Sequence, residues 1–502
     1  MKKCVLMGLC LILAMAFVLG TPLLSREQEA SAPTEAAGQV HGTVSGDTFL
    51  DTVDSEGGMG DAGGSGDDEE ADVSTLIPVA GVPTINAPLS WEQINAMPVK
   101  YADMSVEERR RLVVDFMYFS KTATWTPDKD ITYIRNGKGS QDKMSAGIIY
   151  GGMPYVGVAS GSVYRLMNFI DDRGVVDIYA AVGQPADATQ PLTMAQMKYF
   201  GSQCSIGAWW GWARVINSAD YLWTYNCIAA NNFLPLTDEA LYDYSQPVWE
   251  DITYDTAMIC GREDEAYQQM LYRAYAALQP GDGAVCSYQT ETAGDGHVVM
   301  IYSAANVQYN EDGTIDPDNS FVELIDQAQT WKDRTNQYGD KFKGKNNIDP
   351  LDMPGGRSFT YLREKCYVPF TFQEFIEPGD EISFQAGGQT RTFTYMDLPE
   401  TELSFSHSGG SITLSQLYNS TVTGNYGISD VYVILTDDTG KEIYRHMTMS
   451  PHANDRDITI AKSGVNVRTF GTMPESGSYH VEIEAQLGTG ERPTVYVGTL
   501  IV

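Results

Sequence analysis

Basic residues, histidines and closely spaced cysteines are all scarce in this sequence. Its 502 residues hold 33 Lys and Arg against 66 Asp and Glu, a formal net charge of −33. Phosphate backbones are bound by a basic face, so nucleic acid is not an expected partner. The seven cysteines include no CxxC pair, and the five beyond residue 25 (Cys204, Cys227, Cys260, Cys286 and Cys366) lie 23, 33, 26 and 80 positions apart. Structural zinc is held by clustered thiolates and imidazoles, so no metal is expected here, and no cofactor. The segment Asn310–Asp318 is rich in Asp and Asn, but its spacing does not fit an EF-hand loop, and a polar turn is expected instead. Beyond residue 25 no apolar run is long enough to cross a bilayer, so no membrane contact is expected past the opening segment.

That opening reads MKKCVLMGLCLILAMAFVLG, two lysines and then an apolar run. It has the charge and hydropathy order of a secretory signal, expected to occupy residues 1–25. Neither Cys4 nor Cys10 ends the run as a lipid-modified cysteine would. The expectation is a bacterial protein that is exported, secreted or loosely associated with the wall. Residues 26–77 carry thirteen acids and one arginine among Gly and Ser, with Phe49 as their single aromatic. Such a composition cannot bury a core, so this stretch is expected to be a disordered tether. An odd number of mature cysteines leaves at least one thiol unpaired, and the sequence assigns no disulfide among the rest.

Two periodicities follow. Ser105-Val-Glu-Glu108 is a capping box, and Leu112, Val113, Phe116, Met117 and Phe119 recur behind it at helical spacing. Residues 203–223 read as a helix that is apolar almost all round and therefore buried, with Ser202 at its N-cap. Residues 263–278 read as another helix, stopped by Pro280-Gly281. AVCSYQ (284–289), HVVMIYS (297–303), FVELID (321–326), SFTYLRE (358–364) and YVPFTF (367–372) read as short strands. Helices followed by a mostly antiparallel sheet predict an α+β domain over 88–376. From 378 to 502 only strands and Gly-rich turns remain, which predicts an all-β, immunoglobulin-like sandwich. The first domain is expected to fold without the second.

Cys204 lies in GSQCSIGAWWGW, in the expected first turn of the buried helix. There the helix terminus favours thiolate over thiol. A thiolate acting on an amide needs an imidazole to hold the ion pair and then protonate the leaving amine. His41 falls in the tether, and His407, His446, His452 and His480 fall in the sandwich, which leaves His297 for the first domain. It follows a Gly-Asp-Gly turn and opens a strand, so it is expected at the rim of the sheet. Trp209, Trp210, Trp212 and Trp223 are expected mostly to fill the core.

Taken in chain order, these pieces resemble NlpC/P60-type proteins of the papain-like cysteine peptidase superfamily. Gln203-Cys204-Ser205 is similar to the family's aspartate-cysteine-serine turn, Pro280-Gly281-Asp282 to its sheet entry, and His297-Val298 to its base strand. Gly152-Met153-Pro154-Tyr155-Val156 is similar to its Gly-x-Pro-Tyr-Val motif, whose tyrosine lines the active site. Two departures stand out. Gln203 replaces the aspartate, and Tyr155 and Cys204 lie 49 positions apart, further than in compact members. The family's third residue, often a second histidine on the strand after the base, falls here in FVELIDQAQTW, where Asp326 or Gln327 would orient His297. A carboxylate also stabilises an imidazolium, so Asp326 is preferred. Glu323 is an odd number of positions from Asp326 and points to the other face.

The resemblance implies an exported hydrolase of amide or peptide bonds. Cys204 would attack, His297 would serve as base and then acid, and the substrate would be a peptidoglycan stem peptide or cross-link. Tyr155 would position that substrate. The backbone N–H of Cys204 would meet the oxyanion, with Gln203 expected to cap the helix or face solvent unless its amide adds a second donor. The sandwich would bind a cell-surface glycan or protein, or act as a spacer. The competing reading is a binding or adhesion protein on a degenerate hydrolase fold, which the changed aspartate and the missing second histidine favour. A transpeptidase or acyltransferase using the same thiol is a third.

Overall fold

Helix α1, Val106–Thr122, starts where the capping box places it. Glu108 N–H donates to the Ser105 hydroxyl, and Ser105 N–H donates to the Glu108 carboxylate at 2.8 Å. Two donors that the helix start leaves open are thereby satisfied. The stripe behind it buries Val113, Phe116 and Met117 completely.

The computed structural model describes residues 94–185, 191–218, 260–289, 294–335, 341–348, 356–386, 389–452 and 455–502, with Leu236 and Thr256 between. The expected signal segment, the tether, Cys227, Trp223 and the end of the 203–223 helix lie outside the described residues. Every described residue belongs to one unit, Val44–Val502. Its content is mixed, mostly sheet with few helices.

The first part of the chain is organised on an eight-stranded sheet. Its members are β1 Thr124–Pro127, β2 Tyr150–Gly151, β3 Val175–Val176, β4 Gly283–Gln289, β5 Gly294–Ile301, β6 Leu324–Thr335, β7 Lys341–Ile348 and β8 Val368–Phe370. Their order is β8-β4-β5-β6-β7-β2-β1-β3, antiparallel except where β2 meets β7 and β3 meets β1. Strands from before the cysteine helix thus complete one edge, which the sequence reading did not anticipate. These strands are four, two and two residues long, too short to show a period of two. A second difference falls at 358–364, expected as a strand. Phe359–Glu364 is a helical turn, because Ser358 caps it by accepting from the Tyr361 N–H at 3.1 Å.

Helix α2, Cys204–Trp212, is buried at every residue and packs against α1, β5 and β6. Trp212 Nε1 donates to the Gly281 carbonyl at 2.7 Å, which ties the helix to the Pro-Gly-Asp turn. Gly281 holds φ +85°, where a side chain would be strained and would also press on Phe375. Asp282 is fully buried and accepts from Arg110 at 2.7 Å, Thr371 Oγ1 at 2.6 Å and the Gln279 N–H at 2.8 Å. In this fold the turn is a structural clasp. Helix α3, Glu265–Ala276, is capped by Asp264 and closes the same core.

The last part holds two sheets. One comprises β9 Leu403–Phe405, β11 Thr421–Gly424 and β14 Asp457–Thr459, in the order β9-β11-β14. The other comprises β10 Gly410–Thr413, β12 Ile428–Thr436, β13 Glu442–Met449, β15 Val467–Phe470, β16 Ser478–Leu487 and β17 Thr494–Ile501, in the order β10-β17-β16-β12-β13-β15. Val422 and Ile458 from the first meet Val431, Val433, Val481 and Ile483 from the second in one apolar core.

The join between the parts differs from the expected 376/378 boundary. Leu398 packs into the first core, and Arg109 donates to the Met396 carbonyl at 2.7 Å. The second core takes its first strand only at Leu403. A buried polar seam links the two. Arg165 Nε donates to Asp430 at 2.7 Å, and its other nitrogens donate to the Ser160, Ser429 and Ser450 carbonyls, each at 2.8 Å. Both charged side chains are fully buried. A chain ending near 376 would keep the guanidinium and lose its carboxylate, and an unpaired buried charge is strongly destabilising.

Candidate active site

The start of α2 is built against the Gly-Met-Pro-Tyr-Val segment. Ser202 N–H donates to the Pro154 carbonyl at 2.9 Å, and Val156 N–H donates to the Ser202 carbonyl at 3.0 Å. Tyr155 therefore runs beside Ser202 in a parallel bridge and is completely buried. The N-cap is Gln203, not the expected Ser202, and no side chain caps this end. Cys204 is the first helical residue, so its own N–H is among the donors the helix leaves open. Gln203 differs from expectation too. Its side chain neither caps the helix nor faces solvent, being 5% exposed with Nε2 in no hydrogen bond.

His297 arrives on β5, as its fourth residue rather than its first. It is paired with Cys286 across the β4–β5 ladder, and the Tyr367 ring stands edge-on at 6.4 Å. The β5–β6 register joins Met300 to Ile325. Extended by three positions, that register sets Asp326 diagonally from His297 on the same face and Gln327 on the other. The side chains agree. His297 Nε2 lies 2.6 Å from Asp326 Oδ2. Gln327 instead accepts from Lys121 Nζ at 2.7 Å and donates to the Met153 carbonyl at 2.9 Å.

Cys204, His297 and Asp326 are thus gathered at one place, with 5%, 1% and 6% of their surfaces exposed. Burial alone would strip the proton from His297. The Asp326 charge and hydrogen bond, followed by the smaller influence of the nearby Cys204, reverse this and raise the imidazole pKa to about 10. Since Nε2 is engaged by Asp326, Nδ1 is the nitrogen left for the sulfur. It closes no well-aligned bond, as is common for catalytic contacts before substrate binds. The neighbouring Cys286 is the inert counterpart, its thiol pushed far up by complete burial.

Lys121 was missed in the sequence, where α1 read as a packing helix. The signal was present, since Val113, Met117 and Lys121 recur every four residues and carry the apolar row into a cation. Trp209, Trp210 and Trp212 are all buried. The acidic segment 310–318 is a turn in which Asp312 accepts from Thr314 and Asp316 from Asn319. Among the described residues no cluster of His, Cys, Asp or Glu is arranged to hold a metal ion, and no helix is long and apolar enough to cross a membrane. Compared with known proteins, the chain matches no family model, no curated protein and no solved structure.

Proposed function

We propose that this protein is an exported cysteine hydrolase that cleaves amide or peptide bonds on a papain-like, NlpC/P60-like scaffold. One observation carries the reading: a cysteine at the first position of a buried helix faces an imidazole that a carboxylate holds at 2.6 Å. In the reaction Cys204 Sγ attacks the carbonyl carbon. The oxyanion is met by the Cys204 backbone N–H and by Gln203 Nε2, the buried donor in no hydrogen bond. His297 gives its proton to the leaving amine, and a thioester remains. His297 then takes a proton from water as it attacks, and the carboxylic acid product leaves with the thiolate restored. Asp326 keeps the imidazole oriented and stabilises it when charged.

The opening lysines and apolar run support export, and with the resemblance they support a cell-wall peptide as substrate. The second reading is a cell-surface binding protein, with the sandwich as ligand-bearing module. It is favoured by the depth of the site, whose members are all at least 94% covered. To decide, the full chain is incubated with purified peptidoglycan and with a mixed peptide pool, and products are read by mass spectrometry. New amine and carboxyl ends that vanish in Cys204→Ala support the hydrolase. Transfer to an added amine would make it a transpeptidase. No product and no acyl-enzyme mass would leave the binding protein.

A further inference from the structure

We infer that Lys121 is the buried counter-cation of the cysteine site, balancing the one negative charge left when Cys204 and Asp326 are both ionised around a protonated His297. This deepens the hydrolase reading and rests on it. The charge count is the starting point. A thiolate, an imidazolium and a carboxylate sum to one negative charge, and a net charge taken out of water is costly unless it is compensated.

The compensation is built into the packing. Lys121 ends the apolar row of α1 and is 3% exposed. Its Nζ is fixed by Gln327 Oε1 at 2.7 Å, and Gln327 is fixed in turn by the Met153 carbonyl. Gly207 lies one helical turn after Cys204, on the same face of α2. A Cβ there would stand 2.6 Å from Nζ and 3.2 Å from the Gln327 Cβ. The glycine leaves the room in which the ammonium rests, beneath the turn that carries the sulfur.

The titratable groups whose charges act on Lys121 are Asp326 from β6 and Cys204 from α2, with His297 of β5 behind Asp326. Burial draws the ammonium pKa down to about 7, and those two anions oppose it. Each of these anions therefore favours the charged form of Lys121. Lys121 acts through the thiolate, and it is a positioning residue rather than a catalytic one.

The test reads the pH profile of Cys204 alkylation by iodoacetamide in the full chain and in Lys121→Met. A rise of about one in the apparent thiolate pKa is expected, a tenfold loss of rate at pH values below that pKa. A purely structural role leaves the profile in place. A second measurement needs no variant: the Lys121 Nζ titration is followed by NMR in the wild type before and after Cys204 is carbamidomethylated. Loss of the thiolate should lower the Lys121 pKa. An unchanged Lys121 titration overturns the inference, and so does an unshifted Lys121→Met profile. Should Cys204 titrate as an ordinary thiol, whatever stands at 297, the hydrolase reading fails first. A low thiolate pKa that depends on His297 and ignores Lys121 removes this inference alone.

Discussion

Replacing Asp326 by Asn removes the charge beside His297 while keeping the size and polarity of the side chain. In the wild type burial works to neutralise the imidazole, and the carboxylate at 2.6 Å outweighs it, raising the pKa to about 10. With the carboxylate gone, burial is opposed only by Cys204, and the pKa should fall to its ordinary 6.5 or below. A fall of more than three, at ~1.4 kcal/mol for each pKa unit, is on the order of 5 kcal/mol of lost stabilisation of the imidazolium. At pH 7.5 His297 would be neutral and could no longer offer Cys204 a charged partner. Amide substitution of the carboxylate in a nucleophile–imidazole–carboxylate triad costs on the order of 10⁴ in turnover. The assay is an NMR titration of the His297 ring, with iodoacetamide rates at pH 6 measured alongside. If His297 in Asp326→Asn still holds its proton at pH 9, the electrostatic account of the site is wrong.

Four further outcomes follow from the packing. Lys121→Met removes the buried ammonium together with its bond to Gln327, so its melting temperature relative to the wild type should be highest at acid pH and fall as pH rises. The unfolded chain keeps this proton up to about the ordinary 10.5 and the fold only up to about 7, so the stability linked to Lys121 rises with pH between those values. The difference between variant and wild-type melting temperatures should therefore change across that window, and a constant difference would refute the linkage. Asp430→Ala leaves Arg165 buried without its carboxylate and should cost about 3–5 kcal/mol in denaturant titrations. For the same reason a chain ending near 376 should unfold without a cooperative transition, against the expectation from sequence. Gly207→Ala forces a methyl against Lys121 Nζ and should cost ~1–3 kcal/mol, measured by the same titrations.

What the sequence disclosed was local chemistry. The Ser105–Glu108 box is a four-residue device and marks α1 to the residue. His297 stood out because histidine is scarce, and the contrast between Asp326 and Gln327 follows from the alternation of a strand. What it concealed depends on contacts far apart in the chain. The two- and four-residue strands near 124–176 pair with one another and join the main sheet only through β2 on β7. Phe359–Glu364 carries β-favouring aromatics, yet one serine cap decides it. Gln203 is the N-cap residue, yet its side chain is buried without capping the helix, and Leu398, expected in the second domain, packs into the first core. Lys121 continues the apolar row of α1 in the sequence, but only the fold brings it beneath the turn that carries Cys204.

The most direct test of the central claim is the pH dependence of Cys204 alkylation in the wild type and in His297→Ala. A thiolate titrating well below the ~8.5 of a free cysteine, and moving up when His297 is removed, is the predicted result. Ordinary or absent reactivity, unchanged by the His297 substitution, would contradict the ion pair and leave Cys204 a buried structural thiol.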